Sequence, residues 1–133
     1  MHDPAAEAAR WMDQAENDLE FARYALEGGY HHQVCFLCHQ ASEKAIKSVL
    51  FGDGARTVIG HSLVGLIDKL SRDRATLAAL RDGAAELDLF YIPTRYPNGL
   101  VEGTPHEAFT RSQAERAISQ AERILEAARA TLS

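Results

Sequence analysis

Apolar residues recur at helical spacing in five stretches of this chain, and none shows the alternation of a half-buried strand. Ala8, Trp11, Ala15, Leu19, Ala22 and Leu26 form the first stretch, with Asp3-Pro4 suited to an N-cap and first helical position and Gly28-Gly29 suited to its end. The second runs from about Tyr30 to Phe51 and stops at Gly52-Asp53-Gly54. Leu63, Leu66, Ile67 and Leu70 predict a short third helix. Leu77, Leu80, Ala84, Leu87 and Tyr91 predict a fourth, in which Gly83 is a weak point of roughly 1 kcal/mol relative to alanine. Pro93 and Pro97 then impose a loop over 92–103. Thr104-Pro105-His106-Glu107 has the form of a capping box and predicts the start of the last long helix, continued by Ala114, Ala117, Ala121, Ile124, Ala128 and Leu132. The pattern therefore predicts an all-α bundle of four long or medium helices and one short one.

The second stretch organises the rest. Val34, Leu37, Cys38, Ala41, Ala45, Ser48 and Val49 share one face, and Cys35, Ile46 and Leu50 carry the non-polar surface round the back, as in a central helix. A narrow polar wedge interrupts it: Gln40, Glu43, Lys44 and Lys47, with Phe36 and Phe51 at its ends. Such groups must meet water, one another or a partner. Glu43 precedes Lys47 by the spacing of a helical ion pair. The wedge reads either as a solvated stripe or as the place where a phosphate or partner is met.

Composition narrows the function classes. With 133 residues, 46% of them hydrophobic, the chain suits one domain, residues 1–133. A net charge of -5 gives no whole-protein field for a polyanion, so any phosphate site has to be a local patch. MHDPAAEAAR has neither a basic n-region nor an apolar h-region, and no apolar run approaches a membrane span; the expectation is a cytoplasmic protein without a membrane partner.

Cys35-Phe36-Leu37-Cys38-His39 matches the C-x-x-C-H haem-attachment string, with His31 and His32 nearby. Haem attachment goes with export, zinc would need a second ligand pair, and a thioredoxin-type site would need a preceding strand. The expectation is two packed cysteines, a surface histidine at 39, and no metal. No glycine-rich phosphate loop follows a strand and no carboxylate cluster suggests magnesium, so no cofactor is expected either. Tyr91-Ile-Pro-Thr-Arg95-Tyr96-Pro97 places a guanidinium between two tyrosines, which is the minimal chemistry of nucleotide binding. Its alternative is a loop anchor, with Tyr96 and Pro97 packed on the bundle and Arg95 paired to a carboxylate such as Glu43.

The stretch from Ala9 to Leu19, the core HQASEKAIKSVL, the step Gly60-His61-Ser62-Leu63 and the loop TRYPNG, in that order, resemble the single-domain HEPN family of prokaryotes. The resemblance implies an up-and-down bundle of four to five helices, commonly a two-fold homodimer. It also implies pairing with a minimal nucleotidyltransferase in toxin–antitoxin-like modules, and nucleotide or RNA binding. Many members of the family are metal-independent ribonucleases, marked by an arginine followed after four to six residues by a histidine. This chain departs from that signature: Tyr96 to Pro105 separate Arg95 from His106, and the matching pair Arg56 and His61 lies before the third helix. The expected binding site comprises Gln40, Glu43, Lys44, Lys47, His61, Arg95 and Tyr96. Lys44, Lys47 and Arg95 would supply charge, Tyr96 stacking, and Glu43 the orientation of Arg95. The enzyme alternative uses Arg95 with His61 or His106.

Overall fold

Asp3 opens the first helix by accepting a hydrogen bond from the Ala6 amide, with Pro4 in the first helical position. The computed structural model describes residues 2–132. Helix α1 (Pro4–Glu27) and helix α2 (His31–Gly52) end in the same way. After α1, Gly29 turns to φ +79°, the Tyr30 amide reaches the Ala25 carbonyl at 3.1 Å and the Gly29 amide reaches Leu26. After α2, Gly54 turns to φ +108° and the Ala55 and Gly54 amides reach Leu50 and Phe51. Both are Schellman closures, in which a left-handed residue satisfies the last carbonyls, and glycine adopts that backbone without steric penalty.

Helix α2 is central because its apolar faces have neighbours on most sides. Val34, Cys35, Cys38, Ala41, Ala45, Ile46 and Val49 are all fully buried, against α1 and the last helix, α7 (Arg111–Leu132). Trp11 of α1 stacks on Phe51 of α2 at 5.2 Å between centroids, and Asp18 pairs with Lys44, so these helices run antiparallel. Glu16 pairs with Arg129 and Arg23 with Glu122, which makes α7 antiparallel to α1 as well. Between α2 and α7 the chain makes α3 (Leu63–Ile67), α4 (Ala75–Ala78) and α5 (Arg81–Asp88). The fold is an all-α up-and-down bundle. Among the described residues no helix is long and apolar enough to cross a membrane.

Two expected boundaries move. The fourth helix divides at Ala79-Leu80 rather than weakening at Gly83. Gly83 instead lies against the movable side-chain end of Gln120 on α7. The last helix does not start at Thr104. Thr104-Pro105 opens only a four-residue helix, α6 (Pro105–Ala108), and the Thr104 hydroxyl is drawn to the Glu107 carboxylate instead of capping the backbone. Phe109 then becomes extended, with its ring edge-on to Phe90 at 5.7 Å. Thr110 and Gln113 restart the helix reciprocally: each side chain accepts from the other's amide, at 3.2 and 2.8 Å.

Candidate functional site

Glu43 and Lys47 lie one turn apart on α2, and each is only 5% exposed. Lys47 Nζ donates to Glu43 Oε2 at 3.0 Å and sits 5.7 Å from the Trp11 ring centre. The other oxygen of Glu43 is 3.1 Å from Nδ1 of His61, whose own side chain is 60% exposed. A carboxylate can only accept, so the hydrogen of this contact sits on His61 Nδ1 and leaves Nε2 without a protein partner among the described residues.

The ring of Tyr91 joins this pair to the loop after α5. His61 stacks on Tyr91 at 5.3 Å with an interplanar angle of 16°. Arg95 Cζ lies 4.6 Å from the centre of the same ring, 4.7 Å from Phe36 and 5.1 Å from Tyr96. Its Nε donates to the Tyr91 carbonyl at 3.0 Å, a bond reached across four residues by the turn that also joins the Arg95 and Tyr96 amides to Ile92. Glu43 therefore does not orient Arg95: it holds His61, and Tyr91 orients Arg95. The half-buried guanidinium has no carboxylate partner among the described residues.

Beneath these groups is a pair that the sequence reading did not assemble. His39, expected at the surface, is fully buried, and its Nε2 donates to Asp88 Oδ1 at 3.0 Å. Its ring lies 5.0 Å from that of Tyr91. Burial pushes the His39 pKa below the ordinary histidine value, against the opposing pull of the Asp88 hydrogen bond and charge. Asp88, the last residue of α5, also accepts from the Leu63 and Val64 amides and the Ser62 hydroxyl. His61, Ser62, Asp88 and Tyr91 line a depression of about 200 Å³.

The remaining candidates lie elsewhere. Lys44 is paired with Asp18 and lines a separate depression of about 460 Å³ with Arg10, Trp11 and Asp13. Lys47 is already neutralised by Glu43, so of the three expected cations only Arg95 is free of a carboxylate among the described residues. Gln40 sits beside His39, its amide nitrogen 3.5 Å from Nδ1. His106 of α6 faces His32 edge-on at 6.3 Å, one turn along α2 from Phe36. Cys35 and Cys38 are packed in the core, and burial pushes the Cys35 thiol up to about 12. Among the described residues, no three His, Cys, Asp or Glu side chains converge so as to hold a metal ion. A larger groove of about 680 Å³, lined by Phe21, Tyr24, Tyr30 and Phe36 among others, is mostly apolar.

Known proteins share this architecture. A family model described as the HEPN domain matches residues 8–131. The chain is 27% identical over 127 residues to "Putative toxin MJ1304" of Methanocaldococcus jannaschii, covering 90% of this chain and 84% of that one. The crystal structure of TT1696 from Thermus thermophilus superposes with a TM-score of 0.89 at 34% identity, covering 94% of this chain and 98% of that one. ST0689, described as an archaeal HEPN homologue, gives 0.80 at 38% identity, covering 96% and 98%.

Proposed function

This chain belongs to the HEPN family, and from that premise we propose that it is a toxin-like HEPN module that binds the phosphate and base of single-stranded RNA at Arg95 and Tyr96. The observation that carries the reading is the arginine laid among three aromatic rings with its Nη groups unclaimed by carboxylate. A guanidinium held by its Nε among these rings presents its remaining fork to a phosphate, and the half-exposed Tyr96 ring offers a face to a base. The acidic overall charge confines such binding to this patch. Fluorescence anisotropy with a short single-stranded RNA tests it: Arg95→Ala and Tyr96→Ala each weaken binding by about tenfold, and Lys44→Ala leaves it unchanged. Equal binding by Arg95→Ala and the parent chain removes the proposal.

The proposal extends to a two-fold homodimer and to a minimal nucleotidyltransferase as partner. The toxin name of the archaeal relative supports a toxin-like module, and the exposed Phe21 and Tyr24 of the apolar groove support a further protein contact. Sedimentation of the chain alone and co-purification with a co-expressed nucleotidyltransferase test the two parts separately.

A second reading, metal-independent ribonuclease, is favoured by the contact between Glu43 and His61. It leaves His61 Nε2 free to take the proton of a ribose 2′-hydroxyl while the 2′-oxygen attacks phosphorus, the bond from phosphorus to the 5′-oxygen breaks, and the 5′-oxygen takes a proton from water. Arg95 would stabilise the phosphorane charge. The same geometry favours His61 over His106, which faces His32. Cleavage that persists in chelator and vanishes in both Arg95→Ala and His61→Ala supports the enzyme; binding without cleavage supports the module.

A further inference from the structure

Two separate segments deliver the proposed site. His61 stands just before α3, and Tyr91 and Arg95 just after α5. Asp88 touches both, because it closes α5 and accepts the Leu63 amide at 2.7 Å, the Val64 amide at 3.2 Å and the Ser62 hydroxyl at 3.1 Å at the start of α3. His39 completes its set from α2 at 3.0 Å. A carboxylate has about four lone-pair positions, and Asp88 has a donor for each, so it is not available as a base or as a ligand group. His39 is likewise enclosed, with Nε2 on Asp88, Nδ1 facing Gln40 and its ring against Tyr91.

From this geometry we infer that His39 and Asp88 are a positioning pair: they lock the α3 entrance to the α5 exit and so fix both His61 and Arg95 against the Tyr91 ring. The inference rests on the binding reading above. It assigns a role to a histidine that never meets the ligand. Loss of the His39 donor frees Asp88 on the α2 side, so the α3 entrance and the α5 exit are no longer pinned to α2, and the imidazole of His61 is no longer held against a fixed ring. Displacement of a binding group by about 1 Å is enough to reduce function severely, even when the fold survives.

The test compares the parent chain with His39→Gln, whose side-chain amide can still donate to Asp88, and His39→Leu, which fills space without donating. Two quantities are read: affinity for a short single-stranded RNA, and the ring signals of His61 in NMR, which report its tautomer and its stacking on Tyr91. The expected result is that His39→Leu, still helical by circular dichroism, loses about tenfold in affinity and loses the Tyr91-induced shift of His61, while His39→Gln keeps both near the parent values. Ser62→Ala, which removes one donor to Asp88 from an exposed residue, should shift the His61 signals in the same direction and serves if His39→Leu does not fold. Unchanged His61 signals in Ser62→Ala and His39→Leu overturn the inference, as do His39→Gln and His39→Leu behaving alike. If the parent chain binds no RNA the binding reading fails, and the His61 signals still decide the positioning role.

Discussion

Lys47 Nζ lies 3.0 Å from Glu43 Oε2 where both side chains are less than a tenth exposed. A buried pair of this kind adds little net stability over a well-packed apolar pair, yet leaving either charge alone is costly. Glu43→Ala should therefore destabilise the bundle by about 3–5 kcal/mol, and Glu43→Leu combined with Lys47→Met by much less. Urea denaturation of the single and double variants measures both. A single variant no worse than the double would show that the pair is solvated after all.

Arg95 tests whether charge alone suffices. Lysine keeps the charge and loses the delocalised guanidinium that sits among Phe36, Tyr91 and Tyr96. Arg95→Lys should weaken RNA binding nearly as much as Arg95→Ala, while either change lowers stability by only about 1 kcal/mol. RNA affinity restored by lysine would mean that the aromatic setting is incidental.

Two glycines should respond oppositely to alanine. At Gly99 an added Cβ would stand 3.1 Å from Pro93 Cα and 3.3 Å from Pro93 N, backbone atoms that cannot swing away. Gly99→Ala should cost about 1–2 kcal/mol and weaken RNA binding, because the displaced turn carries Arg95. At Gly83 the obstacle is the movable end of Gln120. Gly83→Ala should be neutral or gain up to about 1 kcal/mol from helix propensity. Melting curves for the two variants check the contrast.

The buried histidine makes stability pH-dependent. His39 has its pKa lowered in the folded chain, first by burial, and His32 is lowered by burial and then by the nearby His106 and His31. The unfolded chain thus binds more protons than the native one once pH falls below the ordinary histidine value of about 6.5, so stability is full above that pH and declines below it, until the folded-state pKa is passed. Melting temperature should fall as pH drops below about 6.5, and His39→Gln should flatten part of that fall. An identical profile in the variant would assign the effect elsewhere.

Cys35 and Cys38 should be chemically silent in the native chain. Burial holds the Cys35 thiol near 12 and raises that of Cys38 further, so neither is a thiolate at neutral pH. Alkylation at about pH 8 should be slow and should accelerate with urea in step with unfolding.

Much of the scaffold was legible because its signals are local. Asp3-Pro4 and the glycines at 29 and 54 mark their helix ends through backbone chemistry that the residue type dictates. Thr104-Pro105 misled because a competing T-x-x-Q cap at Thr110 and Gln113 lies six residues on, and the packing of Phe109 on Phe90 decides between them. Glu43, Lys47 and His61 were singled out as polar groups on or beside an apolar helix, but their partners are set by tertiary contact: Glu43 meets His61 across eighteen residues and His39 meets Asp88 across forty-nine. No periodicity encodes such a meeting. His39 was misplaced because a histidine beside an apolar face looks the same in sequence whether it is solvated or bonded from within.

The edge-on contact between Phe90 and Phe109 draws together the two ends of the segment that bears Tyr91, Arg95 and Tyr96. That segment is consequently closed at its base, by ring packing at Phe90 and Phe109 and by the amides of Phe90 and Tyr91 on the last carbonyls of α5. Lengthening a loop whose ends are already pinned adds only about 0.6 kcal/mol of closure entropy per doubling. Descendants of this chain could therefore exchange or extend the segment, and with it the molecule's choice of target, while the bundle beneath stays as it is.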